Sequence, residues 1–87
     1  MITQEDKKTI QEISEKYDVK RILLFGSSVS IDGNDIDLAV EGVDPKEFYS
    51  FYADLMFSLS KPVDVIDLSG TSKFIQLIQK EGVLLYG

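Results

Sequence analysis

Leu23-Leu24-Phe25-Gly26-Ser27-Ser28-Val29-Ser30-Ile31-Asp32-Gly33-Asn34-Asp35-Ile36-Asp37-Leu38-Ala39-Val40 is the stretch on which the reading of this chain turns. An apolar run ends in a Gly-Ser turn, a polar loop follows, and a second apolar run opens with two carboxylates one residue apart. As a strand, residues 35–40 place Asp35 and Asp37 on one face and Ile36, Leu38 and Val40 on the other. Carboxylates held close repel by about 1 kcal/mol in water and several-fold more in a cleft of lower dielectric. Such a pair calls for a cation.

The chain has 87 residues, which predicts one domain spanning 1–87 with a single core and no room for a second. No apolar run approaches the ~20 residues of a membrane span, and the polar, acidic start Met-Ile-Thr-Gln-Glu-Asp is wrong for a signal peptide. A cytoplasmic protein with no membrane contact is expected. The absence of both Cys and His leaves oxygen ligands as the available metal chemistry, favouring Mg²⁺ or Mn²⁺ over Zn²⁺. Nine basic against fifteen acidic residues, a net charge of −6, argues against long nucleic acid, whose binding draws on clustered Lys and Arg. A basic protein partner or a metal-chelated nucleotide suits the sign better.

Around the central stretch, periodicity and caps give the remaining elements. Residues 3–17 read as a helix: Thr3 and Asp6 resemble a capping pair, and Ile10, Ile13 and Tyr17 recur at helical spacing. Ile22 to Phe25 has the length of a buried strand, which Gly26 stops. After the second strand, Asp44 as N-cap, Pro45 at the first helical position and Glu47 as capping-box partner predict a helix carrying Phe48, Phe51, Tyr52, Leu55, Met56 and Leu59. That stripe is expected to cover the sheet, with Tyr49 or Tyr52 left over for a partner surface. A third strand spans 63–68, and Ser69 to Ser72 form a turn and cap. A short helix with Phe74, Ile75, Leu77 and Ile78 follows, closed by Gly82, and residues 83–86 form a fourth strand or an extended tail. The fold expected is α/β (α+β), a small mixed sheet of about four strands packed with three helices.

Three features can converge: the Gly26-Ser27 turn, the Asp35/Asp37 pair, and Asp64 in the third strand. Asp64 lies between Val63 and Val65, where an ionised side chain buried without a partner is costly; a shared metal ion would remove that cost. Convergence requires the second and third strands to be neighbours or to bracket the first. The chemistry that fits is nucleotidyl transfer, with carboxylates holding Mg²⁺ on a nucleoside triphosphate, a third carboxylate serving the attacking hydroxyl or a second metal, and N–H groups of the Gly-Ser turn holding phosphate oxygens. A calcium loop at 32–43 fails, because its sixth position is Asp37 and its twelfth Val43 where Gly and Glu are needed. Asp67 is expected to cap a turn, Asp54 to be a solvated helix carboxylate, and Ser28 and Ser30 to be ordinary loop residues.

Leu24-Phe25-Gly26-Ser27, Asp35-Ile36-Asp37-Leu38-Ala39-Val40 and Pro62-Val63-Asp64-Val65-Ile66-Asp67-Leu68 together resemble the DNA polymerase beta-like nucleotidyltransferase superfamily, in particular its minimal nucleotidyltransferase (MNT) members. The resemblance runs from about Arg21 to Tyr86. It implies the polymerase beta-like core, phosphate contacts from Gly26 and Ser27, and a catalytic and metal-binding triad of Asp35, Asp37 and Asp64. It further implies a small helical HEPN-type toxin as partner, with AMP transferred from ATP to a toxin tyrosine. The segment departs from the family pattern in being short and without Arg after Gly-Ser; no Lys or Arg occurs from Ile22 to Pro45. Nucleotide charge then falls to metal, backbone dipoles, or cations elsewhere such as Lys61 or a partner chain. Beside this enzyme reading stands a binding module that neutralises a partner by complex formation. Transfer to a small molecule such as an aminoglycoside is a third reading, disfavoured because the chain leaves no room for an acceptor domain.

Overall fold

The computed structural model describes residues 2–26 and 35–87. Helix α1 (Gln4–Lys16) starts as the sequence predicts, the Thr3 hydroxyl accepting from the Asp6 N–H at 3.1 Å. It ends at Tyr17, and Asp18 takes the left-handed region at φ 54°, a conformation Asp tolerates better than most residues. The chain then enters β1 (Arg21–Leu24), β2 (Ile36–Glu41), α2 (Phe48–Ser58), β3 (Val63–Asp67), α3 (Lys73–Glu81) and β4 (Val83–Tyr86), in the order expected.

The four strands form one mixed sheet in the order β3-β2-β1-β4. Strand β1 is antiparallel to both β2 and β4, whereas β2 and β3 run parallel. Parallel neighbours need a long crossover, which α2 supplies. Residues 83–86 are therefore a paired strand and not a tail.

Alternation along the strands sends side chains to two cores. Ile22, Leu24, Ile36, Leu38, Val40, Val63 and Leu85 meet Ile10 and Ile13 of α1 and Phe51 and Leu55 of α2. On the other face Leu23 and Ala39 meet Leu68 together with Ile75 and Ile78 of α3. Fully burying one Leu, Ile or Phe side chain stabilises by roughly 1.5–3 kcal/mol, so both faces hold the sheet. This refines the sequence reading: the face that carries Asp37 is covered one pleat further on, where Ala39 is 0% exposed beneath α3.

Helix α2 starts later than its capping signature predicts. The Asp44 carboxylate accepts from Lys46 N–H at 2.9 Å, and Glu47 N–H bonds Asp44 C=O at 2.8 Å. Asp44 thus closes a separate turn, and the helix begins at Phe48 without a side-chain cap. Of the expected stripe only Phe51 and Leu55 are fully buried, Phe48, Tyr52 and Leu59 pack at the edge of the core, and Met56 faces away from it, 52% exposed. Among the described residues no helix is long and apolar enough to cross a membrane.

Candidate active site

The hydrogen bond from Phe25 N–H to Asp37 C=O, 3.0 Å, carries the β1–β2 pairing up to the turn at Gly26. Gly26 adopts φ +68°, and a Cβ built on it would stand 2.7 Å from Asp37 Oδ2. Two independent causes therefore require glycine here: the left-handed backbone and a carboxylate already filling the space. The turn and the acidic pair, separate in sequence, are in contact.

Across the sheet, Asp37 is the register partner of Asp64 in the parallel β2–β3 ladder. Side chains of register partners project to the same face of strands about 4.8 Å apart. Strands β2 and β3 are direct neighbours, which resolves the two arrangements the sequence allows. Asp35 stands one residue before β2 and is exposed. Burial, then the charge of Asp64, then that of Asp35 hold the Asp37 carboxyl above the ordinary carboxylate range. The charges of Asp64 and Asp35 thus both reach the Asp37 carboxylate. Asp64 itself is exposed on the edge strand β3; the desolvation cost expected from its apolar neighbours falls instead on half-buried Asp37. Ser27 and the loop through Asn34 lie outside the described residues.

Among the described residues, no three acidic side chains are gathered closely enough to hold an ion between them alone. Mg²⁺ is commonly held by one or two carboxylates with substrate phosphates completing its shell. The donor set fits that mode: hard oxygen ligands only, Asp37 flanked by two further carboxylates, and Gly26 opening the backbone beside Oδ2.

The other candidates resolve as follows. The Asp67 carboxylate accepts from Ser69 N–H at 2.9 Å and caps the turn after β3, as expected. Asp54 is not merely solvated: it accepts from Tyr17 O–H at 2.7 Å and Lys16 Nζ at 3.0 Å, tying α2 to α1. Tyr52 donates to Val63 C=O at 3.0 Å, leaving Tyr49 as the exposed tyrosine of α2, 84% accessible.

Sequence reasoning missed a cavity of about 310 Å³ lined by Phe25, Gly26, Phe74, Leu77, Ile78, Glu81 and Gly82. Phe74, Ile78 and Glu81 recur at helical spacing on α3, the same signal as a core stripe, yet Phe74 and Leu77 remain 54% and 50% exposed. Only the surplus of apolar residues over the short sheet could have hinted at it.

A model of the polymerase beta nucleotidyltransferase family matches residues 7–87. No curated protein sequence matches the chain. Among solved structures, a toxin–antitoxin MntA-HepT complex is similar at TM-score 0.73 and 25% identity, over 98% of this chain and 73% of the other. A tri-AMPylated Shewanella oneidensis HEPN toxin in complex with MNT antitoxin gives TM-score 0.74 and 27% identity, over 97% of this chain and 71% of the other. A toxin–antitoxin structure with AMP-PNP gives 0.73 and 27%, over 93% and 73%.

Proposed function

This chain belongs to the polymerase beta nucleotidyltransferase family, and on that premise we propose that it is a cytoplasmic antitoxin that transfers AMP from ATP to a tyrosine hydroxyl of a small helical HEPN-type toxin. The observation that carries the reading is the placement of Asp64 in register with Asp37 while Gly26 lies against the Asp37 carboxylate. One locus then offers a phosphate-approaching backbone and an anionic cluster. Similarity to complexes of MNT antitoxin with HEPN toxin, one with an AMPylated toxin and one with AMP-PNP, supports the partner and the nucleotide.

In this reading the acceptor hydroxyl oxygen attacks the α-phosphorus of ATP. A new P–O bond forms, the bond from that phosphorus to the oxygen bridging the β-phosphorus breaks, and pyrophosphate leaves. Asp64, the exposed member, takes the hydroxyl proton. N–H groups of the Gly26-Ser27 turn orient phosphate oxygens. Mg²⁺ or Mn²⁺, held by Asp35 and Asp37 with phosphate oxygens completing its shell, would supply charge neutralisation at the reacting phosphate, and Asp64 is left to the proton or to a second ion.

Incubation of the chain with ATP, Mg²⁺ and its HEPN-type partner, followed by intact mass spectrometry of both, tests this directly. An added AMP on the partner is expected; none on either chain, with a partner of verified toxicity, overturns it. The absence of Lys and Arg from Ile22 to Pro45 favours a second reading, neutralisation by binding alone. A chain carrying Asp35→Asn and Asp37→Asn that neutralises as well as wild type would decide for that one.

A further inference from the structure

We propose that the cavity beside Gly26 holds the base of the nucleotide whose phosphates lie at Asp37, an inference that rests on the nucleotidyl-transfer reading and specifies how that site takes its substrate. Gly26 is the junction: it lines the cavity, and a Cβ built on it would stand 2.7 Å from Asp37 Oδ2. A nucleotide anchored by its phosphates at this turn must place its nucleoside on an adjoining surface, and the cavity is that surface.

The lining decides which end of the ligand enters. Phe25, Phe74, Leu77 and Ile78 are apolar, Gly26 and Gly82 offer backbone, and the one charged member is the carboxylate of Glu81. A phosphate chain would meet no Lys or Arg there and one like charge, so the triphosphate stays outside. A flat uncharged base suits the walls. The Phe25 and Phe74 rings meet edge to face with centroids 6.0 Å apart and form an aromatic wall of the cavity. A volume of about 310 Å³ is at the small end of the range for ligand pockets and admits a purine.

Exposure supports the assignment. Phe74 and Leu77 stand half-exposed on the helix whose Ile75 and Ile78 are buried in the core. Apolar side chains kept accessible around a concavity are what a ligand covers. Gly82 lets the backbone at the end of α3 pack closely against the sheet, because a Cβ there would meet Ile78 C=O at 2.6 Å and Leu23 Cβ at 3.2 Å.

The test compares two ligands that share phosphates and differ in the base. Binding of ATP and of tripolyphosphate, each with Mg²⁺, is measured calorimetrically for wild type, Phe74→Ala and Leu77→Ala, with circular dichroism confirming that these half-exposed sites leave the fold intact. Wild type is expected to prefer ATP. Phe74→Ala should lose roughly 5- to 150-fold in ATP affinity, the scale of one stacked base, with tripolyphosphate unchanged and Phe74→Trp restoring ATP. Equal loss for both ligands, or none for either, overturns the inference while leaving the transfer reading standing. Unchanged ATP binding with lost transfer to a tyrosine acceptor also overturns it, by giving the cavity to the acceptor. If wild type binds neither ligand, the transfer reading fails and this inference with it.

Discussion

Asp37 and Asp64 face each other across the parallel β2–β3 ladder, while the space beside Asp37 Oδ2 is kept open by a glycine at the end of β1. Three elements thus meet at one carboxylate. The sheet order β3-β2-β1-β4 makes this possible, since β2 is the one strand that borders both β1 and β3. An interior position in the sheet also half-buries Asp37, and burial is the first cause of its raised pKa, ahead of the charges of Asp64 and Asp35. The site is therefore electrostatically strained in favour of binding a cation.

Asp37→Asn should stabilise the metal-free protein and abolish transfer. Removing the charge relieves both the burial of an ionised group and its repulsion by Asp64 and Asp35. A rise of a few degrees in Tm is expected with EDTA present, on the scale of ~4–8 °C per kcal/mol for a domain of this size. Transfer should fall by roughly 100-fold or more, as when a group stabilising developing charge is lost. A thermal melt and an AMP-transfer assay on the same preparation check the pair; a lowered Tm would show that Asp37 is a structural acceptor instead.

Gly26→Ala carries two penalties that separate experimentally. Holding Ala at φ +68° costs on the order of 1–3 kcal/mol, and a Cβ 2.7 Å from Asp37 Oδ2 forces that carboxylate aside. Urea denaturation reads the sum of the two. Mg²⁺ affinity reads the second alone and should weaken about 10-fold or more in Gly26→Ala. Affinity unchanged in a destabilised variant would mean that Asp37 does not hold the ion.

Local signals were legible in the sequence and long-range ones were not. Thr3 caps α1 with its own helix, and Ile36, Leu38 and Val40 alternate within one strand, so a few neighbouring residues suffice to place them. The Gly-Ser turn and the acidic pair were legible as types. Their contact was not, because it depends on β1 pairing with β2, nor was the approach of Asp64, because the choice of neighbour for β3 depends on the whole sheet. The apolar flanks of Asp64 suggested burial, and only its place on an edge strand exposes it. Asp44 misled for a different reason: a turn closed by an Asp carboxylate and a helix N-cap share one signature, and the structure uses the turn. The cavity beside Phe74 and Leu77 was not legible, because helical spacing is blind to whether the facing space is filled.

Asp6 holds the two ends of the α1–α2 layer together. It is 4% exposed, and its carboxylate accepts from both the N–H and the hydroxyl of Ser60, just beyond α2. Asp6→Ala removes two hydrogen bonds to a charged acceptor, a loss of about 1–3 kcal/mol. Ser60→Ala keeps the backbone bond and should cost less. Equilibrium unfolding of the two variants should show that ranking, and equal losses would place the stabilisation in the hydroxyl bond alone.

The Asp54 tie between α2 and α1 gives a pH dependence with a defined sign on each side. Hydrogen bonding by Tyr17 and then by Lys16 lowers the Asp54 pKa, so its contribution is full above the ordinary carboxylate value and is lost as pH falls through the lowered one. The Asp54 hydrogen bond raises the pKa of Tyr17 and of Lys16. Their contribution is full below the ordinary values near 10 and 10.5 and is lost as pH rises through the raised ones. Asp54→Asn should therefore lower Tm slightly at neutral pH, because the Lys16 side chain is well exposed and solvent screens the pair. It should flatten the Tm profile on both limbs, in the acid range below the usual carboxylate pKa and in the alkaline range above 10. Melts of wild type and Asp54→Asn across that range decide the matter: parallel curves, offset by a constant amount, would mean that the tie acts by packing and not by charge.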